Sequence, residues 1–179
     1  MYRHNFRGSD LENSINDTIF LYREKKLALI QKIPTPITPI KLDRNTMHIT
    51  LAYFEKKSTV DYIGLIQEIP VCFDAKETNK DIFPLSNVHM HQYRFMREFE
   101  EQGGISFLLI QFTKKHIVSY LPFRHLEFFM NRAKEKNIKS INFSELNKEY
   151  FIDIKNTKYV FFIDKVQIDL NDRYNENNK

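Results

Sequence analysis

Pro34, Pro36 and Pro39 fall within six residues of one another. No helix interior or central strand accepts three prolines at that spacing, because each removes a backbone donor and fixes φ. This stretch must therefore leave the body of the fold as an extended, exposed course. Asp43, Arg44 and Asn45 then read as a turn, and Met47 to Phe54 as a returning extended run. The spacing predicts a two-stranded projection over residues 34–54 that takes no part in the core.

The rest of the chain supplies that core. Ser9 to Lys26 reads as a helix with Leu11, Ile15, Ile19 and Tyr22 on one face, and Ser9 with Glu12 fits a capping box. Leu27 to Ile33 is β-like. Asp61 to Ile66 and Val71 to Lys76 read as paired strands joined through Gln67 to Pro70. Ser86 is placed to cap a helix running to Glu101, with Val88, Phe95 and Phe99 inward and Gly103 and Gly104 ending it. Ile105 to Phe112 and His116 to Leu121 are apolar strands, and Pro122 opens a helix carrying Phe123, Leu126, Met130 and Ala133 on one side. Ser144 to Glu149 reads as a loop or short helical turn and Tyr159 to Leu170 as strand-like. This order predicts an α/β fold with a mixed central sheet flanked by helices, residues 1–170 forming one domain and 171–179 a polar tail.

Composition narrows the classes. The 27 Lys and Arg against 23 Asp and Glu give a net charge of +4, which suits a polyanion partner without demanding one. The single cysteine, Cys72, cannot close an internal disulfide, and no Cys/His cluster has zinc spacing, which fits a reducing compartment. Ile105 to Phe112, interrupted by Ser106 and Gln111, is too short to span a bilayer, and the N-terminus lacks a signal-peptide core. The expected setting is the cytoplasm, without a membrane partner.

The chemistry concentrates in Asp61, Asp74 and Lys76. On a strand alternate residues share a face, so Asp74 and Lys76 point the same way, and a short turn brings Asp61 alongside. Two carboxylates and a lysine at a sheet edge are what metal-assisted phosphodiester hydrolysis needs. The carboxylates suit Mg²⁺, and the lysine can orient water or balance transition-state charge. Thr59 can donate to the phosphate, and Glu12 can add a carboxylate. An Asp-x-Lys triplet alone equally describes a solvated strand end, and the capping box alone explains Glu12. His89 and His91, two residues apart on a helix, point to different sides and are not expected to share a metal.

Asp61 followed by Asp74-Ala75-Lys76 resembles the PD-(D/E)xK nuclease signature. The resemblance becomes more specific along the chain. Arg7-Gly8, Leu11-Glu12, Pro34 with Pro36, Ala52-Tyr53-Phe54, Thr59-Val60-Asp61-Tyr62 with Gly64, Phe73 to Thr78, Phe83-Pro84-Leu85, His91-Gln92 and Gly103-Gly104-Ile105 follow in the order of the RecU family of Holliday junction resolvases. That resemblance implies a restriction-endonuclease-like fold. It implies a homodimer that cuts opposed strands of a four-way DNA junction with Mg²⁺ or Mn²⁺, and a link to a RecA-type recombinase. It assigns Asp61, Asp74, Lys76 and Thr59 to catalysis, and Asp61, Asp74, Thr59 and Glu12 to the metal. Residues 34–54 become the stalk that enters the junction, and Arg7, Lys41, Arg44 and Gln92 become DNA contacts. The chain departs from the family at Asp74, where Glu is usual, and in a shorter, less basic stalk. The alternatives are a catalytically weak or silent junction-binding protein that modulates the recombinase, and an ordinary duplex endonuclease sharing the PD-(D/E)xK core.

Overall fold

A computed structural model describes residues 9–54 and 59–177. Its centre is a six-stranded sheet built from β1 (Ala28–Lys32), β4 (Tyr62–Ile66), β5 (Ile69–Thr78), β7 (Ile105–Phe112), β8 (Ile117–Pro122) and β10 (Phe151–Asp153), side by side in that order. β5 and β7 run parallel, and every other neighbouring pair is antiparallel. The expected mixed sheet with helices on both faces is what the chain forms. β7 sits inside the sheet with nearly every side chain buried, which is why its sequence is an almost unbroken apolar run rather than an alternating one.

Alternation along β5 and β7 divides the core in two. Phe73 and Phe107 point to the face covered by α1 (Ser9–Glu24) and α4 (Ile163–Asn177), where they meet Leu11, Ile15 and Val166. Cys72, Leu108 and Ile110 point to the face covered by α2 (Met90–Glu101) and α3 (Phe123–Lys136), where they meet Met96 and Leu126. On the first face Tyr62, Phe73, Phe107 and Tyr120 stack in sequence across four strands, with centroids 4.7, 4.8 and 4.3 Å apart. Aromatic pairs of this kind add about 0.5–1.5 kcal/mol each beyond their buried area. The ladder therefore holds the start of β4 firmly against β5.

Gly64 shows how closely β1 and β4 approach. A Cβ there would lie 2.2 Å from the Leu29 carbonyl oxygen and 2.5 Å from the Ile30 Cα. Both obstacles are backbone, so no side-chain rotation relieves them. Gly64→Ala is expected to destabilise the fold by roughly 3 kcal/mol. A urea midpoint within error of the wild type would contradict that reading of the β1–β4 packing.

Three local expectations differ from the structure. Ser86 does not cap the second helix: it lies in a 3₁₀ turn, Leu85–Asn87, and His89 occupies the N-cap of α2. The β4–β5 turn is confined to Gln67 and Glu68, both at positive φ, and Ile69 and Pro70 already belong to β5. Tyr159 to Leu170 is not a strand. Its first part runs extended over α1, where Thr18 Oγ1 accepts from the Val160 N–H (2.8 Å) and Tyr22 Oη from the Phe162 N–H (2.9 Å). Its second part begins α4, which continues to Asn177 through the expected tail. Among the described residues no helix is long and apolar enough to cross a membrane.

The proline-led segment forms a separate two-stranded sheet, β2 (Ile37–Asp43) with β3 (His48–Phe54), and the short β6 (Ile82–Pro84) and β9 (Ser140–Asn142) pair in another. An irregular register around Pro39 and Lys41 marks the bulge that the third proline imposes. Asp43 Oδ1 accepts from the Asn45 N–H at 2.9 Å and closes the turn. Ile37, Ile40, Leu42, Ile49, Leu51 and Tyr53 are exposed on this hairpin, and Met47 at its tip is 71% exposed.

Candidate active site

The site forms where β4 begins beside the C-terminal half of β5. Asp61 immediately precedes β4. Its backbone carbonyl accepts from the Ile33 N–H (2.8 Å), and its Oδ2 accepts from the Ala75 N–H (3.0 Å). The carboxylate is thereby pinned to the strand that carries Asp74 and Lys76. Asp74 is fully buried. Gln92, from α2, donates its Nε2–H to Asp74 Oδ1 at 2.6 Å. The Gln92 Oε1 accepts from Lys76 Nζ at 3.3 Å and from the His89 N–H at 3.2 Å. Only one orientation of the amide serves a carboxylate, an ammonium and a backbone donor together.

Lys76 Nζ lies 2.5 Å from Asp74 Oδ2. The two form a close ion pair inside the fold, with the Asp74 carboxylate buried and the lysine reaching it from the rim. Burial pushes the Asp74 carboxyl up to about 7, Lys76 opposes the rise, and the neighbouring Asp61 charge adds to it. The Tyr62 hydroxyl is also raised, first by burial and then by the negative charges of Glu12, Asp61 and Asp74.

The sign of the Asp74 shift sets a pH dependence. A carboxyl whose folded value lies above its unfolded one favours the folded state at low pH, where it is protonated in both states. That stability is lost as pH rises toward the folded value. Without divalent ions, the melting temperature is expected to fall between pH 5 and pH 7.5, and Asp74→Asn is expected to flatten that segment. Equal slopes in the two proteins would show that Asp74 does not titrate in this range.

The other candidates are distributed around this core. Glu77 accepts from the Leu11 N–H at 3.0 Å and so holds the first turn of α1 against β5. Glu12 is brought to the rim of the site, but its carboxylate pairs with Lys32 at the end of β1 rather than joining Asp61 and Asp74. Among the described residues no group of three or more His, Cys, Asp or Glu side chains is arranged to hold a metal ion. Thr59 is exposed two residues before Asp61. Gln92, expected to face DNA, is instead buried with its amide committed to Asp74, Lys76 and His89. The His89 and His91 rings lie together, stacked at 5.5 Å and 13°. They do not point to different sides as expected, because His89 is the extended N-cap residue rather than part of the helix. Lys41 and Arg44 lie on the exposed hairpin, in β2 and in its turn. Arg7 and the Ser9 side chain fall outside the described residues.

Gln92 and Lys32 are the site residues that strand periodicity could not supply. Gln92 lies sixteen residues beyond Lys76 on another element, and only its place next to His91 in the family resemblance pointed to it. Lys32 carried no signal in the sequence.

The family model for RecU, Recombination protein U, matches residues 6–168. The Holliday junction resolvase RecU of Limosilactobacillus reuteri (strain DSM 20016) is 41% identical over 147 residues, covering 80% of this chain and 72% of the relative. The protein of the same name from Staphylococcus aureus (strain MRSA252) is 37% identical over 171 residues, covering 91% and 82%. Among solved structures, Archaeoglobus fulgidus Hjc, a Holliday junction resolvase from an archaeal hyperthermophile, aligns with a TM-score of 0.45 and 11% identity over 83% of this chain and 92% of its own. With a family model spanning most of its length and relatives this similar, the chain belongs to the RecU family.

Proposed function

We propose that this chain is a Holliday junction resolvase, a structure-selective endonuclease that cuts opposed strands of a four-way DNA junction by divalent-metal-dependent phosphodiester hydrolysis. The observation that carries the reading is Asp74, a fully buried carboxylate with one oxygen fixed by Gln92 and the other paired with the Lys76 ammonium. With Asp61 beside it, Asp74 sets two carboxylates against the single Lys76 ammonium, an excess of negative charge that a divalent cation would offset.

The donor set fits Mg²⁺ or Mn²⁺. Asp61 and Asp74 are hard oxygen ligands, and Mg²⁺ ordinarily takes only one or two carboxylates while keeping waters and phosphate oxygens. When bound, such an ion supplies an acidified water and offsets charge on the phosphate. The chain's own residues do the remaining work. The Ala75 N–H keeps the Asp61 carboxylate turned toward Asp74. Gln92 holds Asp74 Oδ1 and steadies Lys76. The Lys76 ammonium, 17% exposed, faces the scissile phosphate, where it orients the attacking water and balances the developing charge. Thr59 donates to the phosphate from the rim.

The hairpin supplies selectivity. Single exposed apolar residues are ordinary, but this many on one two-stranded element mark a surface made for a partner. Apolar side chains that enter an open branch point can pack on the faces of unstacked base pairs, while Lys41 and Arg44 approach the phosphates. A two-fold dimer would present two such sites to the two opposed strands of a junction.

The test uses an end-labelled four-way junction and a matched linear duplex, in Mg²⁺, in Mn²⁺ and in EDTA. Paired cuts in the junction, absent in EDTA and from the duplex, are expected. Deleting Pro39 to Met47 is expected to weaken the preference for junction over duplex. Junction binding with no cutting in either metal would instead identify a silent binding protein, and equal cutting of the duplex would identify an ordinary endonuclease.

A further inference from the structure

The catalytic strand does not stop at Lys76. β5 continues through Glu77 and Thr78, and β7 ends beside it, Thr78 pairing with Phe112. Just beyond the carboxyl ends of this parallel pair lies a cavity of about 340 Å³, lined by Thr78, Asn79, Lys80, Asn87 and Thr113 and bounded by Glu77 and Pro84. In α/β sheets the space outside the carboxyl ends of parallel strands is the common place for ligands, because loops there diverge and leave a crevice. At a strand rise near 3.3 Å, Asn79 stands about 10 Å from Lys76 along the chain. The cavity is therefore within a nucleotide or two of the phosphate that Lys76 would face.

Its walls are fixed by the protein itself. Thr78 Oγ1 donates to the Ile82 carbonyl (3.1 Å) and accepts from the Lys80 N–H (3.2 Å), which locks the turn that carries Asn79. Thr113 Oγ1 donates to the Thr78 carbonyl at 3.3 Å and ties the ends of β5 and β7 together. The Glu77 carboxylate accepts from the Leu11 N–H. The amides of Asn79 and Asn87 are exposed and carry no protein hydrogen bond among the described residues. Each offers both a donor and an acceptor.

This chemistry selects the ligand. A phosphate site would concentrate cations, whereas here one lysine stands against one carboxylate, and the free groups are neutral amides. A nucleobase edge presents paired donors and acceptors, and Asn side chains are suited to reading it. We infer that the cavity is a base-recognition subsite: it receives a nucleobase of the strand being cut, next to the scissile phosphate, and Asn79 and Asn87 read its edge. This inference rests on the resolvase reading, since it requires a DNA strand at Lys76. It makes the two asparagines specificity-determining residues that set which sequences at the crossover are cut.

Two measurements test it on the full chain. The first is single-turnover cutting of a junction set with randomised bases flanking the crossover, for the wild type, Asn79→Ala, Asn87→Ala and the double variant. The ratio between favoured and disfavoured sequences is expected to shrink by roughly fivefold to a hundredfold, the discrimination of one paired amide–base contact. The second places 2-aminopurine at each flanking position in turn and records its fluorescence on binding in Ca²⁺. A change confined to one or two positions, lost in the double variant, is expected even if cutting is slow. A wild-type sequence profile in the double variant, no sequence preference in the wild type, or a 2-aminopurine signal that survives the double substitution would each overturn the subsite while leaving the resolvase reading standing. Failure of the wild-type protein either to bind or to cut any junction would overturn the resolvase reading and the subsite with it.

Discussion

Lys76→Ala is expected to lower single-turnover junction cutting by about 10²–10³-fold, the usual cost of removing one preorganised group that faces transition-state charge, while junction binding in Ca²⁺ changes little. Two losses combine. On the proposed mechanism the phosphate loses the lysine that faces it, and Asp74 loses the ammonium 2.5 Å from its Oδ2. Lys76 is what opposes the upward pull of burial on the Asp74 carboxyl. Without it, that carboxyl rises further and is protonated across a wider range of neutral pH. Residual cutting by the variant is therefore expected to need a higher pH than the wild type, which simple removal of a phosphate contact would not produce. Affinity for DNA should survive because it is spread over many Lys and Arg contacts to phosphates. Parallel loss of binding and cutting, with an unshifted pH profile, would count against this role.

Asp169→Ala is the substitution expected to cost most in stability, about 3–5 kcal/mol, the range for removing one partner of a buried ion pair. Asp169 is fully buried on the inner face of α4. Its Oδ2 accepts from Tyr120 Oη at 2.9 Å, and its Oδ1 accepts from Arg173 Nε at 3.0 Å and from Arg124. Arg173 also reaches Glu100 (2.5 and 2.9 Å), whose Oε1 accepts from the Ser106 N–H at 2.7 Å. One carboxylate thus connects α4, α3, the end of α2 and the middle of the sheet. Alanine would leave two guanidinium groups and a buried hydroxyl competing for the remaining acceptors. Equilibrium urea unfolding measures the loss. A change below about 1 kcal/mol would mean that solvent or Glu100 replaces Asp169 readily, contrary to the burial of its carboxylate.

The same residue explains a misreading of the sequence. The apolar run from Tyr159 to Ile163 suggested a strand, and the helical spacing of Phe162, Val166 and Asp169 was hidden because its third inward position is charged. An aspartate belongs on an inner face only when arginines and a tyrosine from distant segments meet it, and one-dimensional patterning cannot register that. The polar residues after Leu170 looked like a tail for a related reason: α4 continues on ion pairs such as Arg173 with Glu100, not on apolar burial.

Where interactions are local, the sequence alone determined the outcome. Proline spacing excluded residues 34–54 from the core, and the two-period of a strand placed Asp74 and Lys76 on one face, with a short turn bringing Asp61 alongside. Those results depend only on φ restriction, side-chain alternation and the reach of a tight turn. Tertiary structure decided everything that depends on which elements meet. It set Gln92 as the support of Asp74 and Lys76, turned Glu12 to Lys32, gave Glu77 to the first turn of α1, and opened the cavity beyond β5 and β7. Each of these links residues far apart in the chain. Their energies arise from burial and charge pairing that exist only after the sheet and helices have packed.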